Sequence, residues 1–213
     1  MTRIIAGLAG GRRLATPAGR STRPTSDRTR EGLFGTVTAI RGGLDGAAVL
    51  DLYAGSGAVG LEALSRGAAD VLLVESDARA ARVIRENIAA VGLAGARLAA
   101  DRVERVLARG AGGAGGPGGP GGPARDFAFA DPPYATGDDE LGQVLTGLLQ
   151  PGWLAPGALI AIERATRSGP LAWPPGYISD RCRRYGEATL WYGLAAGTGS
   201  AGPGPAGPHE TGA

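Results

Sequence analysis

At 213 residues, 43% of them hydrophobic, the chain is large enough for one ordinary domain with a buried core, and its net charge of +2 does not by itself announce a nucleic-acid partner. A single cysteine, Cys182, and a single histidine, His209, exclude a disulfide framework, a zinc cluster and any Ser-His or Cys-His catalytic pair within one chain, so no metal is expected. No apolar run is long enough to span a bilayer and the start lacks the pattern of a secretory signal, which makes a cytoplasmic location the expectation.

Arginines are concentrated at the start. Arg3, Arg12, Arg13, Arg20, Arg23, Arg28 and Arg30 precede or surround a single acid, Asp27, so the remainder of the chain is net acidic. No lysine occurs, and every basic contact is therefore a guanidinium, which pairs with phosphate through a planar fork and stacks on bases; a GC-rich coding bias accounts for the same preference. Residues 3–14 form two short extended runs, RIIAG and GRRLA, broken at Gly10-Gly11, the pattern of a hairpin too small to fold alone. Thr25-Ser26-Asp27 then offers capping oxygens ahead of RTREGLFGTVTAI, whose Leu33, Phe34, Val37 and Ile40 recur at helical spacing.

From Ala47 apolar runs alternate with amphipathic stretches: AAVLDLY then VGLEALSRG, DVLLVE then ARAARVIRENIAAVG, ARLAA then RVERVLARG, DFAFAD then DDELGQVLTGLL, and finally ALIAIE. That rhythm predicts an α/β fold with a mainly parallel sheet and helices on both faces. YISDRCRRY and EATLWYG, joined at Gly186, read as an antiparallel hairpin added to the sheet edge. The Gly/Pro tract at 110–124 has no apolar side chain larger than Ala and reads as a flexible loop; residues 194–213 have the same character and read as a disordered tail. The organisation expected is a basic hairpin arm over 1–24, a catalytic domain over 25–193 and the tail.

Two motifs carry chemistry. Asp51-Leu52-Tyr53-Ala54-Gly55-Ser56-Gly57-Ala58-Val59-Gly60 ends the first parallel strand and opens a helix, and its three glycines satisfy G-x-G-x-x-G. With Glu75 ending the next strand this would suit a dinucleotide site, but an acid four residues before the first glycine resembles the D-x-x-A-G-S-G motif of class I methyltransferases. That resemblance implies S-adenosylmethionine as cofactor, with Tyr53, Ala54, Gly55, Ser56 and Gly57 around its methionine part. It further implies Asp51 near the ammonium, Glu75 on the ribose hydroxyls and Asp101 on the adenine amine; solvated carboxylates at strand ends are the alternative for all three acids.

Asp131-Pro132-Pro133-Tyr134 follows the apolar strand FAFA, where open α/β sheets place their sites. Two prolines fix the backbone and remove two N–H donors, leaving carbonyls to project without internal partners. An exocyclic base amine is a poor nucleophile because its lone pair is delocalised into the ring. A carboxylate at Asp131 and a carbonyl at Pro132 that accept its two hydrogens would make the nitrogen more tetrahedral and aim the lone pair at a methyl donor, while Tyr134 offers a stacking face.

Together with R-I-I-A-G…G-R-R-L, the run Arg23-Pro24-Thr25-Ser26-Asp27-Arg28-Thr29-Arg30-Glu31-Gly32-Leu33-Phe34 and the block D-L-Y-A-G-S-G-A-V-G-L-E-A-L-S-R-G-A, these motifs resemble the RsmD family. The resemblance covers most of Arg3 to Gly193. It implies a class I, Rossmann-like S-adenosylmethionine-dependent methyltransferase sheet with a C-terminal antiparallel hairpin and a small N-terminal β-hairpin extension. Its implied activity is methylation of N2 of a guanine in 16S ribosomal RNA, with the small subunit or an assembly intermediate as substrate. It gives the N-terminal arginines a phosphate-neutralising role, Arg12 and Arg13 at the hairpin turn foremost; Arg28 and Arg30, at a helix start, serve equally as internal ion-pair partners. Arg181, Arg183 and Arg184 read as a solvated edge and Cys182 as a packing residue. The alternatives are the same machinery acting on a DNA base or a protein glutamine amide, and an RNA-binding module without transferase activity.

Overall fold

The computed structural model describes residues 2–17, 26–110 and 122–196. Parallel strands β3 (Ala48–Leu52), β4 (Asp70–Val74), β5 (Ala96–Ala99), β6 (Arg125–Ala130) and β7 (Leu154–Ala165) join the antiparallel β8 (Tyr177–Tyr185) and β9 (Ala188–Ala195) in one sheet, ordered β5-β4-β3-β6-β7-β9-β8. The α/β sheet and the terminal hairpin expected from the sequence are both present, with β9 inserted between β7 and the edge strand β8. All five residues of β3 are buried, Asp51 included, as expected of a largely apolar strand covered on both faces.

Helices α1 (Asp27–Arg41), α2 (Ala58–Ser65) and α3 (Ala78–Val91) cover one face, and α4 (Val103–Ala108) and α5 (Asp138–Leu148) the other. Local chemistry sets the helix limits. Ser26 caps α1 by accepting from the Thr29 amide, Asp77 caps α3 by accepting from Arg79 and Ala80, and both helices end on left-handed glycines, Gly42 and Gly92.

Strands β1 (Thr2–Arg3) and β2 (Arg13–Leu14) pair antiparallel, as the sequence predicts, but the arm they form is not a separate unit. Ile4, Ala9 and Leu14 are buried in the same core as Val49, Leu61, Ile84 and Phe127. The fully buried Glu62 of α2 accepts from the Ile5 and Ala6 amides at 2.6 and 3.0 Å and from Arg66 Nε at 2.8 Å. Ser65 accepts from the Ala9 amide and donates to the Ala6 carbonyl. A boundary at residue 24 therefore does not divide the packing: a hairpin too small for its own core borrows the core of the domain.

The boundary at 194 moves as well. Leu194 pairs with both Leu159 and Ile178, and Ala195 is buried opposite Tyr177, so ordered strand continues past Gly193. Most of the Gly/Pro tract and residues 197–213, with their expected flexibility, lie outside the described residues.

Candidate active site

A cavity of about 470 Å³ opens at the carboxyl ends of β3, β4, β6 and β7. Its wall brings together Asp51, Tyr53, Ala54, Gly55, Ser56, Glu75, Asp131, Pro132, Pro133 and Tyr134. Gly57 and Asp101, expected to bind cofactor, are not on that wall.

The loop after β3 is shaped by three left-handed residues, Tyr53 (φ 58°), Gly55 (φ 59°) and Gly57 (φ 78°). For a tyrosine that conformation is strained, and the surroundings hold it: the Ala54 amide donates to the Val74 carbonyl at 3.0 Å, and the Tyr53 hydroxyl donates to Glu104 at 3.4 Å. Burial, then the Glu104 charge, raises the Tyr53 phenol above its ordinary range. Gly57 begins α2, and a Cβ there would stand 2.9 Å from Leu73 Cδ2; its work is close packing on β4. A Cβ on Gly60 would stand 3.1 Å from Asp51 Oδ2, so the third glycine leaves room for the acid.

Asp51 accepts from the Gly60 amide at 2.8 Å, yet burial, with Glu75 adding repulsion, raises its carboxyl to about 8. Both Glu75 oxygens are fixed by backbone donors, Gly55 and Asp77, each at 2.8 Å. Such a carboxylate is aimed before any ligand arrives.

Asp101 turns away. It accepts from its neighbour's amide, Arg102, and pairs with Arg109 and, at 3.7 Å, with Arg105, interactions that lower its carboxyl below the usual range. Arg105 lies one helical turn along, on α4, so the partners of Asp101 are the arginines at and after the start of that helix.

In the Asp-Pro-Pro-Tyr turn the Pro133 carbonyl accepts from the Thr136 amide at 2.9 Å, so that carbonyl has an internal partner. Among the described residues no donor reaches the Pro132 carbonyl, and Tyr134 is 62% exposed, with the Arg167 guanidinium 6.0 Å from the centroid of a ring on which a base can stack.

Six acids line the described cavity wall (Asp51, with its raised carboxyl, and Glu75, Glu104, Asp131, Glu140 and Glu163) against one guanidinium, Arg102. That wall suits a cation and repels a pyrophosphate, which separates a sulfonium cofactor from a dinucleotide. Among the described residues no group of three or more His, Cys, Asp or Glu could hold a metal ion.

A second cavity, of about 440 Å³, shares Tyr134 and Glu163 with the first and is walled by Arg28 and Arg184. Arg184, read from sequence as part of a solvated edge, thus belongs with Arg28 beside the site. The other arginines separate. Arg30 is fully buried and donates to Thr2 Oγ1, the Arg3 carbonyl and Asp27 at 2.7 Å each, which removes it from any RNA surface. Arg12 uses its guanidinium to cap α3 through the Ala90 and Val91 carbonyls. Arg3 and Arg13 are exposed, and Arg20 and Arg23 lie outside the described residues.

Sequence reasoning missed Glu163, which lies on β7 one residue past the last parallel partner of β6, and the signal was available: it stands where the parallel pairing of β6 and β7 stops. It also missed Asn87 of α3. This buried amide accepts from the Ala15 amide and donates to the Ala15 and Ser56 carbonyls, tying the arm to the glycine loop while Thr16 and Pro17 complete the cavity wall.

The family model described as conserved hypothetical protein 95 matches residues 2–193. Ribosomal RNA small subunit methyltransferase D of Escherichia coli K12 is 36% identical over 167 residues, 78% of this chain and 76% of that protein. A solved hypothetical protein of Thermus thermophilus is 34% identical with a TM-score of 0.71, covering 92% of this chain and 99% of its own. Magnesium protoporphyrin IX methyltransferase of Synechocystis, solved with bound S-adenosylmethionine, is 13% identical over 79% of each chain with a TM-score of 0.58, a likeness of fold alone. The chain belongs to the conserved hypothetical protein 95 family, the RsmD family that its motifs resemble.

Proposed function

We propose that this protein transfers the methyl group of S-adenosylmethionine to N2 of a guanine in small-subunit ribosomal RNA. The observation that carries the reading is one cavity wall holding both a cation-binding half, Asp51 and Glu75 around the glycine loop, and an amine-handling half, Asp131 and Pro132 beside Tyr134. The cofactor supplies an electrophilic methyl group on a sulfonium. Asp51 would meet its ammonium, Glu75 its ribose hydroxyls, and the Tyr53–Ser56 backbone its methionine part.

Asp131 and the Pro132 carbonyl accept the two hydrogens of the exocyclic amine, which localises the nitrogen lone pair toward the methyl carbon. Tyr134 stacks on the base, an interaction worth about 1–3 kcal/mol. The nitrogen gives up a proton after transfer, when it is strongly acidic, and Asp131 is the acceptor. Nucleotides flanking the target run through the second cavity, where Arg28 and Arg184 meet phosphate, with Arg3 and Arg13 on the exposed arm. The ribosomal RNA relative favours this acceptor over a DNA base or a glutamine amide. An assembly intermediate of the small subunit, in the cytoplasm, is the substrate this reading implies; no described helix is long and apolar enough to cross a membrane.

Labelled methyl transfer to RNA from methylation-deficient small subunits, followed by nucleoside identification, tests the reading: the expected product is N2-methylguanosine. Asp131→Ala is expected to keep S-adenosylmethionine affinity and lose about 100–1,000-fold in transfer. Undiminished transfer by that variant rules out the mechanism.

A further inference from the structure

We propose that Glu163 selects guanine, by accepting the ring N1–H while Asp131 and the Pro132 carbonyl hold the exocyclic amine. The inference rests on the proposed guanine reading and adds to it the residue that distinguishes guanine from other amino bases. Asp131 and Pro132 cannot make that distinction, because adenine, cytosine and guanine all present an NH₂ group with the same two hydrogens. What differs is the ring nitrogen beside the amine. It is a donor, N1–H, in guanine and a lone-pair acceptor in adenine and cytosine. A carboxylate facing that position attracts the first and repels the other two.

Glu163 has the placement for this. In the parallel pair β6 and β7 the last register partners are Ala130 and Ile162; Asp131 is the residue after β6, and Glu163 is the next residue of β7, which continues against β9. Neighbouring strands run about 4.8 Å apart, so the two acids stand side by side where the parallel pairing stops. Both continue the alternation that puts Phe129 and Ala161 on the α1 to α3 face, the face that also carries Asp51 through its pairing with Phe129. Glu163 is half-buried and lines the catalytic cavity together with Asp131, Pro132 and Tyr134. It also lines the second cavity, so it stands where a base entering from the nucleotide track would pass its Watson–Crick edge.

The test uses RNA in which the methylated guanosine, once located by the transfer assay, is replaced by 2-aminopurine riboside. That base keeps the N2 amine but carries a lone pair at N1. The wild-type protein is expected to favour guanine over 2-aminopurine by at least about 100-fold in kcat/KM, because a site built around a donor rejects the analogue that lacks it. In Glu163→Gln the amide can donate to the 2-aminopurine lone pair. Transfer to guanine is expected to fall about 10–100-fold and the guanine preference to collapse by at least that factor. Glu163→Ala is expected to narrow the preference too, by removing both the attraction and the repulsion. Cofactor affinity, read by calorimetry, stays within about twofold in both variants, since Glu163 belongs to the base half of the wall.

A preference that survives unchanged in both variants overturns the inference, whether the rates fall together, as a structural role requires, or hold. A wild-type protein that binds cofactor and methylates no guanine instead removes the reading beneath it, and is seen before either variant is made.

Discussion

Replacing Asp51 by Asn separates what this acid does for the fold from what it does for the ligand. The Asp51 carboxyl is raised from 3.8 to about 8, by burial first, against the Gly60 amide that lowers it, and then by Glu75. A folded-state value above the unfolded one means the native chain binds a proton that the unfolded chain lacks, so stability falls as pH rises from about 4 to about 8 and levels above it. At about 1.4 kcal/mol per unit, with the slope halving near the midpoint, about 2 kcal/mol is lost between pH 6 and pH 8. An Asn at this position keeps the acceptor for Gly60 and cannot ionise, so the variant escapes the loss. Thermal melts at matched pH isolate the effect, because the other titrating groups are common to both proteins. The difference in Tm is expected to grow in favour of Asp51→Asn by about 4–8 °C between pH 6 and pH 8. The same variant is expected to bind S-adenosylmethionine about 10–100-fold more weakly, having lost a charge-assisted partner for the ammonium. Melting curves that stay parallel across this range would refute the assignment of a raised carboxyl, and undiminished cofactor affinity would refute its contact with the cation.

Three other substitutions test how the site is supported. Glu62→Ala leaves the Ile5 and Ala6 amides and Arg66 without their acceptor in a buried position, and is expected to cost about 3 kcal/mol in denaturant unfolding; a change under about 0.5 kcal/mol would show that the arm is not part of the core. Burial alone would raise the Asp70 carboxyl, but Arg97 and Arg125 together hold it below its ordinary value, so its contribution is present at neutral pH and lost as pH falls below about 4. Asp70→Asn is expected to destabilise by about 3 kcal/mol at pH 7, by stranding the buried Arg125, and to approach wild type in acid; a pH-independent gap would contradict the pairing. Asn87→Ala is expected to weaken cofactor binding about 10-fold in calorimetry although Asn87 is off the cavity wall, because it carries the Ser56 carbonyl; an unchanged Kd would limit its role to the arm.

The central elements are legible because local and global preferences agree in them. AVLDL is apolar but for Asp51 and lies between two covered faces, and ARAARVIRENIAAV follows a capping Asp and precedes a left-handed Gly. Asp51, Glu75 and Asp131 are legible for a topological reason: each stands at the carboxyl end of a parallel strand, where an open sheet leaves a crevice. Glu163 stands likewise where the parallel pairing of β6 and β7 stops, but has no motif around it. Asp101 obeys the rule too, but lies off the cavity wall and pairs with Arg105 on the following helix and Arg109 at its end. The arm is illegible for the opposite reason. Its partners, Glu62 and Ser65, are more than fifty residues away, and no periodicity of a dozen residues can report them.

Charge shows most clearly what one dimension hides. The cluster of N-terminal arginines reads as a single basic surface, yet Arg30 is sealed under Thr2 and Arg3 and Arg12 is spent on a helix end, while Arg184 arrives from β8 to stand with Arg28. The result is a site acidic in its depth, with the guanidiniums of Arg28 and Arg184 beside Glu163 and Glu187 in the neighbouring cavity. A cationic cofactor is drawn inward by the acids of the wall, whereas a polyanion meets Arg28 and Arg184 outside and is repelled from the interior. Only an uncharged part of a nucleic acid can enter against that field, and a base swung out of its strand onto Tyr134 is such a part. The field therefore does for the whole substrate what Asp131 and Glu163 do for the base: it admits the acceptor and leaves the backbone outside.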